Sequence, residues 1–315
     1  MSDHPASGHR APHCAAGAPI FIHGIFERSG TNYLAALLNL HPDCHASWLH
    51  ENWMLSECDD LERYAEKMSA RWRREPAWQT PSDIAERLLW HLGAGLLSFL
   101  AGGADDKRLL TKTPGVERLE RFFTMFPSAY LLILVRDGRS VVESSAKSWG
   151  SDPGQVARSW AAAADRILRF DREHRGVDQR YRIVRYEDLL RDTRSQVTEL
   201  LLFLHLDVDR YDFAAIQRLP VFGSSTTRDR AGNWAWQISP RLPGLGSLER
   251  WSGWHRGQHE RFNWTAGAQL EAFGYEPVRA RERRALWLAL TAGWAVASLP
   301  RRALEAWRTR RKGRC

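Results

Sequence analysis

The chain has 315 residues, 43% of them hydrophobic, a formal net charge of +8 and four cysteines. This length and apolar content suffice for one large α/β domain or two small ones and exclude a disordered chain. Cys14, Cys44, Cys58 and Cys315 are too sparse for a disulfide framework and lack the C-x-x-C spacing of a zinc site, which favours a reducing compartment. The charge is not spread along the chain: residues 277–315 hold eleven Lys or Arg against Glu282 and Glu305, and the remainder carries 34 basic and 35 acidic groups. The body is therefore close to neutral, and no nucleic-acid partner is expected.

Residues 1–17 read as a flexible polar lead-in without the long apolar core of a signal peptide or anchor, so the expectation is a cytoplasmic protein. The run "APIFIHG" predicts a buried strand and "TNYLAALLNLHP" a helix stopped by His41-Pro42. A helix is expected at "CDDLERYAEKMSARWRRE", and another at "SDIAERLLWHLGAGLLSFLAGG", with Ser82 as N-cap and glycines closing it. "KRLLTKTPG" predicts a short strand entering a proline-terminated loop, "VERLERFFTMFP" a helix, and "AYLLILV" the clearest strand, uncharged and closed by "RDG".

Helices follow at "RSVVESSAKSW" and "PGQVARSWAAAADRILRFDREH", the second with proline in its first turn; "RYRIVRYEDL" predicts a strand running into a helix, and "TRSQVTELLLFLHL" a further helix. This alternation argues for an α/β fold with a central, mainly parallel sheet flanked by helices in three layers. Residues 215–260 read as a long irregular loop of the kind that serves as a lid, and "RWSGWHRGQHERFNWTAGAQLEAFGYEP" closes the domain with helices. The domain is expected to span 18–276, with 277–315 a basic amphipathic tail.

After the first strand, "GIFERSGTN" places backbone amides, Arg28, Ser29 and Thr31 at a helix start, where free N–H groups and the helix dipole favour an anion. The register is not that of an ATP loop: Gly24 is followed by four residues and then Ser29-Gly30-Thr31, so the lysine is missing and the basic residue precedes the glycine. A second strand-to-helix turn, "LVRDGRSVVESS", repeats the arrangement, with Arg136 at the strand end and Ser144 two turns into the helix. Two basic turns at neighbouring strand ends suit two phosphates of one ligand, since ligands of parallel sheets bind at the carboxyl ends of the strands.

"ERSGTNYL", "TKTPG", "FPSAYLLILVRDGRSVVES" and "RYEDLL", in this order and spacing, resemble the sulfotransferases that use 3'-phosphoadenosine 5'-phosphosulfate (PAPS), and "VRDGR" is similar to the bacterial and protein-tyrosine branch. The resemblance covers residues 18 to 275 and implies the P-loop-like three-layer fold. It also implies that Arg28, Ser29, Gly30, Thr31 and Asn32 surround the 5'-phosphosulfate, that Arg136 and Ser144 hold the 3'-phosphate, and that Tyr186 lies near the adenine. A guanidinium that takes phosphate bidentately, with a hydroxyl beside it, agrees with this. Arg28 and Lys112 are the expected suppliers of positive charge to the transferred group; by the same resemblance Lys112 of "TKTP" stands near that group, and Glu51 of "HPDCHASWLHENW" is the expected base, with His50 in reserve. Ser224 or Ser225 and Arg228 or Arg230 of "FGSSTTRDR" are candidates to close over the donor. No metal is implied.

The acceptor class left open is a hydroxyl, less readily an amine, of a small molecule, a carbohydrate or a lipid-linked compound. Trp48, Trp53, Trp72 and Trp78 fall where an acceptor would be expected, though core packing accounts for most tryptophans. "ALWLALTAGWAVASLP" is too short to span a bilayer; peripheral membrane contact through residues 279–314 and a packed C-terminal helix are the alternatives. Oligomeric state is not legible. Two rival functions stay open: a non-catalytic nucleotide-binding module, which needs neither Lys112 nor Glu51, and a P-loop-type small-molecule kinase, which the missing lysine counts against.

Overall fold

The two most apolar runs become the middle of a sheet in the computed structural model. It describes residues 17–74, 80–103, 106–219, 221–228, 234–239, 248–278, 285–287 and 289, the stretches 221–228 and 234–239 by their backbone alone. Strand β1, Ile20–Gly24, is buried throughout and lies between β3, Arg108–Thr113, and β4, Tyr130–Val135. The order is completed by β2, Cys44–Ala46, beside β3 and β5, Tyr181–Arg185, beside β4, and all four pairings are parallel.

Both faces of this five-stranded sheet are covered, which is why its central strands read as unbroken apolar runs rather than as alternation. On one face Ile20, Ile22, Leu110, Leu132 and Leu134 pack with Leu34, Leu37 and Leu38 of helix α1, Thr31–Leu38. Val197, Leu200 and Leu201 of a later helix join the same core. On the other, Phe21 stacks on Phe126 with ring centroids 4.7 Å apart and meets the edge of Phe122 at 5.2 Å. The fold is the three-layer α/β, P-loop-like architecture expected from the alternating pattern.

The helices follow the strands in sequence order. They are α2, Cys58–Trp72, and α3, Ile84–Ala101, then the short α4, Phe122–Met125, and α5, Gly138–Trp149. Next come α6, Pro153–His174, α7, Tyr186–Arg191, and α8, Thr193–Phe203. Asp137 and Asp152 cap α5 and α6 by accepting from the backbone N–H of Arg139 and Gln155, and proline fills the first turn of α6.

Several local expectations need correction. Ser82 is not the cap of α3; Asp83 occupies that position without a side-chain cap, although Gly102 closes the helix in the left-handed conformation as expected. The helix expected over 116–127 is reduced to a 3-10 turn at Leu119–Arg121 plus α4. Strand β2 gave no signal, because three residues at a sheet edge are too few for periodicity.

Within 215–260 the irregular loop contains an antiparallel hairpin, β6 Val221–Arg228 and β7 Trp234–Ser239. Its β-branched and aromatic residues were outweighed in the reading by the glycines and prolines around them.

The chain divides into two compact units at Ser252/Gly253. Within 250–277 the described residues form one helix, α9, Arg256–Ala272, where several were expected, and its N-terminus carries a capping box between His255 and Gln258. The proposed membrane segment 279–314 lies outside the described residues apart from 285–287 and 289.

Candidate functional site

The turn between β1 and α1 is forced by close approach. A side chain at Gly24 would have its Cβ 2.3 Å from the Ser29 hydroxyl and 2.7 Å from Thr31 Cγ2, and one at Gly30 would sit 2.4 Å from the Tyr186 ring. Arg28 and Gly30 both adopt positive φ, 69° and 101°, and Gly30 is the N-cap of α1. Such a reversal before a helix is a backbone conformation that gathers N–H groups toward an anion. Ser29 is buried and its hydroxyl donates to Phe26 O at 2.6 Å, so this side chain closes the turn.

The second turn joins the first directly. Arg136, at the end of β4, donates from Nη1 to Arg28 O at 2.7 Å, and Arg28 Nε donates to the Ser144 hydroxyl of α5 at 3.1 Å. The Arg136 guanidinium lies 4.6 Å over the Tyr186 ring, and that of Arg28 lies 5.3 Å from the Trp149 ring. Arg136, Ser144 and Tyr186 are all buried.

A third guanidinium completes the group. Burial, then the charges of Arg250 and Arg136, pull Arg28 down to about 10, and Arg250 is itself lowered by burial and by Arg136. Guanidiniums gathered closely enough for Arg136 and Arg250 to lower Arg28, and for Arg136 to lower Arg250, are the electrostatic signature of a site for a multiply charged anion.

Arg250 was missed in the sequence, where attention fell on Arg228 and Arg230. Ser224, Ser225 and Arg228 fall within β6, of which only the backbone is described, and Arg230 lies outside the described residues. The one available signal was an arginine beside tryptophan in "LERWSGW". That segment is held by α5: the buried Arg139, paired with Asp137 at 2.7 Å, lies 3.8 Å over the Trp251 ring, and Ser140 donates to Leu248 O at 2.6 Å.

On the other side of β1 stands the second cluster. Lys112 Nζ, nearly buried at the end of β3, pairs with Glu51 Oε1 at 3.2 Å. Glu51 owes its place to a segment zipped onto β3: Ser47 N–H donates to Leu110 O at 2.8 Å and Asn52 N–H to Lys112 O at 3.2 Å. The Asn52 side chain donates to Thr111 Oγ1 at 3.0 Å.

Burial lowers the Lys112 ammonium and the Glu51 carboxylate partly restores it. His50, adjacent, is lowered by the partial burial of its ring and by the Lys112 charge, with Glu51 acting the other way. Glu27 is raised by burial and by Glu51.

Beneath the "TKTPG" loop, His23 donates from Nδ1 to Gly115 O at 2.8 Å and is held neutral by burial, its pKa lowered to about 4. This bond ties the loop that carries Lys112 to the strand that carries the first turn.

Thus Arg28, Ser29, Gly30, Thr31, Arg136, Ser144 and Tyr186 are brought together around the first turn, and Lys112, Glu51 and His50 around the neighbouring strand end. Asn32, at the start of α1, faces the second group: it lines a cleft together with His50 and Lys112. An anion site and a lysine–carboxylate pair on adjacent strand ends can bind a charged donor and move a group and a proton next to it.

A family model described as "Sulfotransferase family" matches residues 19–210. The chain belongs to the sulfotransferase family. Among solved structures it is similar to the sulfotransferase domain from the curacin biosynthetic pathway, at 19% identity over 83% of this chain and 99% of that one, with a TM-score of 0.52. It is also similar to the sulfotransferase domain from the Synechococcus PCC 7002 olefin synthase, at 20% identity over 85% and 97% of the two chains, TM-score 0.52. A weaker likeness is to retinol dehydratase in a complex with retinol and PAP, at 16% identity over 85% and 84%, TM-score 0.42. No curated protein matches the sequence.

Proposed function

We propose that the chain transfers a sulfuryl group from PAPS to a hydroxyl of a small-molecule acceptor. The observation that carries the donor is the joining of the two basic turns, in which Arg136 holds Arg28 O and Arg28 reaches Ser144. Arg136, Ser144 and Arg250 hold the 3'-phosphate, Tyr186 stands beside the nucleoside, and the amides of 29–32 receive the 5'-phosphosulfate; the Arg28 side chain, expected at the 5'-phosphosulfate, reaches Ser144 instead and is assigned with it to the 3'-phosphate. Three guanidiniums and a helix N-terminus fit a ligand with phosphates at two positions better than a monoanion.

PAPS brings the sulfuryl group and a good leaving phosphate. Lys112 supplies positive charge to the oxygens of the transferred group. Glu51, with His50 in reserve, takes the acceptor proton as the acceptor oxygen bonds to sulfur and the bond from sulfur to the phosphate oxygen breaks, releasing adenosine 3',5'-bisphosphate. Glu51 reaches this position only because 47–52 runs along β3. The reading also takes the protein as cytoplasmic, supported by its sparse cysteines.

Calorimetric titration with adenosine 3',5'-bisphosphate, 5'-AMP and ATP plus magnesium tests the donor. Tight binding of the bisphosphate alone, lost in Arg136→Ala, is expected. Preference for ATP with magnesium would instead favour a kinase and refute the reading.

A further inference from the structure

Helix α3 is apolar on nearly every side, Glu86, Arg87, His91 and Ser98 being its charged or strongly polar residues, yet only Leu89, Gly93, Leu100 and Ala101 of it are buried. A helix of that composition ordinarily belongs in a core or in an apolar medium. At about 3.6 residues per turn, Ile84, Leu88, Leu92, Gly95 and Phe99 share one flank, a stripe about 22 Å long. It runs half-buried to exposed beside the face that Gly93 presses on α4. Trp48 extends the stripe at its end: its ring meets the Phe99 ring edge-on with centroids 5.1 Å apart, and the two are 58% and 52% exposed.

The polar atoms at this end are satisfied from within. Trp48 Nε1 donates to Phe99 O at 2.9 Å and Ser47 Oγ donates to Leu100 O at 3.1 Å, so two of the four carbonyls that a helix C-terminus leaves to water are already bonded. At the other end Asp83 and Arg87 pair with each other at 2.8 Å. A protein partner is oriented by polar and charged groups around an apolar centre, and the stripe itself offers apolar area without them. A bilayer asks only for that area and for backbone groups bonded internally. The charge of the bilayer follows from the sequence, because residues 277–315 hold eleven Lys or Arg against two Glu around the apolar run 285–300. A polybasic segment and a modest apolar insertion are together the two signals that hold a protein on anionic lipid.

We propose that the α3 stripe, with Trp48 and Phe99 at its tip, docks the protein on the surface of an anionic bilayer, the basic segment supplying the attraction and the stripe the apolar contact. The inference stands apart from the identity of donor and acceptor. Its consequence for the site is one of place: Trp48 lies three residues before Glu51 in the segment zipped onto β3, so docking holds the lysine–carboxylate pair close to the headgroups.

The test is co-sedimentation of the full chain with phosphatidylglycerol–phosphatidylcholine vesicles and with phosphatidylcholine vesicles, at low and high salt, for the native protein and for Phe99→Asp, Gly95→Asp, Gly95→Ala and Leu202→Gln. A Cβ at Gly95 meets nothing within 4 Å, so Gly95→Asp adds a charge to the stripe without removing a contact and guards against a folding failure in Phe99→Asp. Leu202, 62% exposed on α8, is the control for loss of any surface leucine. The native protein is expected to bind the anionic vesicles, more weakly at high salt. Both aspartate variants should bind about tenfold or more weakly at each salt, while Gly95→Ala and Leu202→Gln bind as the native protein does. Failure of the native protein to bind anionic vesicles, aspartate variants that bind as well as it does, or an equal loss in Leu202→Gln would overturn the proposal. So would a native dimer, seen by sedimentation velocity without lipid, that both aspartate variants split, since a second copy would then occupy the stripe.

Discussion

Arg136 and Glu51 sit a strand apart, and their substitutions should separate binding from chemistry. Arg136→Ala removes a buried guanidinium that holds Arg28 O and covers Tyr186; bisphosphate affinity should fall by about 30- to 1,000-fold, the usual cost of truncating a buried charged contact. Glu51→Gln should leave that affinity unchanged and reduce turnover by about 10² to 10⁴; a variant that keeps full turnover would remove Glu51 from the role of base.

His23 gives a prediction in pH. Its folded pKa of about 4 lies below the ordinary 6.5, so between these values the unfolded chain binds a proton that the folded chain does not. The stability of the neutral, buried imidazole is therefore complete above 6.5 and is lost as pH falls toward 4, by up to about 3 kcal/mol. Urea midpoints of His23→Gln should lose this dependence between pH 6.5 and 4; an unchanged slope would show that another group causes it. The basic turns were legible in the sequence because strand, glycine, arginine and helix follow one another locally. Arg250 was not, because its position depends on Trp251 resting on Arg139, more than a hundred residues earlier.

At the scale of elements, two glycines define how helices meet their neighbours. Gly93 brings α3 against the short α4, and a Cβ there would lie 2.1 Å from Met125 O, whereas one at Gly95 of the same helix meets nothing within 4 Å. Gly93→Ala should cost about 1–3 kcal/mol through overpacking against backbone. Gly95→Ala should gain roughly 0.5–1 kcal/mol from helix propensity. Chemical denaturation of the pair distinguishes packing from propensity, since a propensity effect alone would stabilise both.

Gly30 combines a left-handed φ with contact against Tyr186. Gly30→Ala should weaken bisphosphate binding by about tenfold or more, because the strain of a side chain there is relieved only by moving the turn or the tyrosine. Where local pattern was strong, as in α6, the element and its ends were readable. Where only a partner strand makes a segment extended, as in β2, they were not.

At the scale of the molecule, one sheet with two covered faces should unfold as one body. Cys44 of β2 and Cys58 at the start of α2 are both buried thiols, and burial raises Cys44 to about 11. Iodoacetamide labelling read by peptide mass spectrometry should leave both unmodified in native conditions and expose them at the same urea concentration. Labelling of Cys58 well before Cys44 would mean that α2 opens separately.

The sequence by itself determined the three-layer α/β class, the central strands, the two basic turns and the family, because each depends on residues close together in the chain. Only the tertiary structure decided that Arg28 turns toward Ser144, that Arg250 joins Arg28 and Arg136, and that Lys112 faces Glu51. The physical reason is the sheet order: residues far apart in sequence become neighbours when β1 inserts between β3 and β4, and no local pattern encodes that insertion.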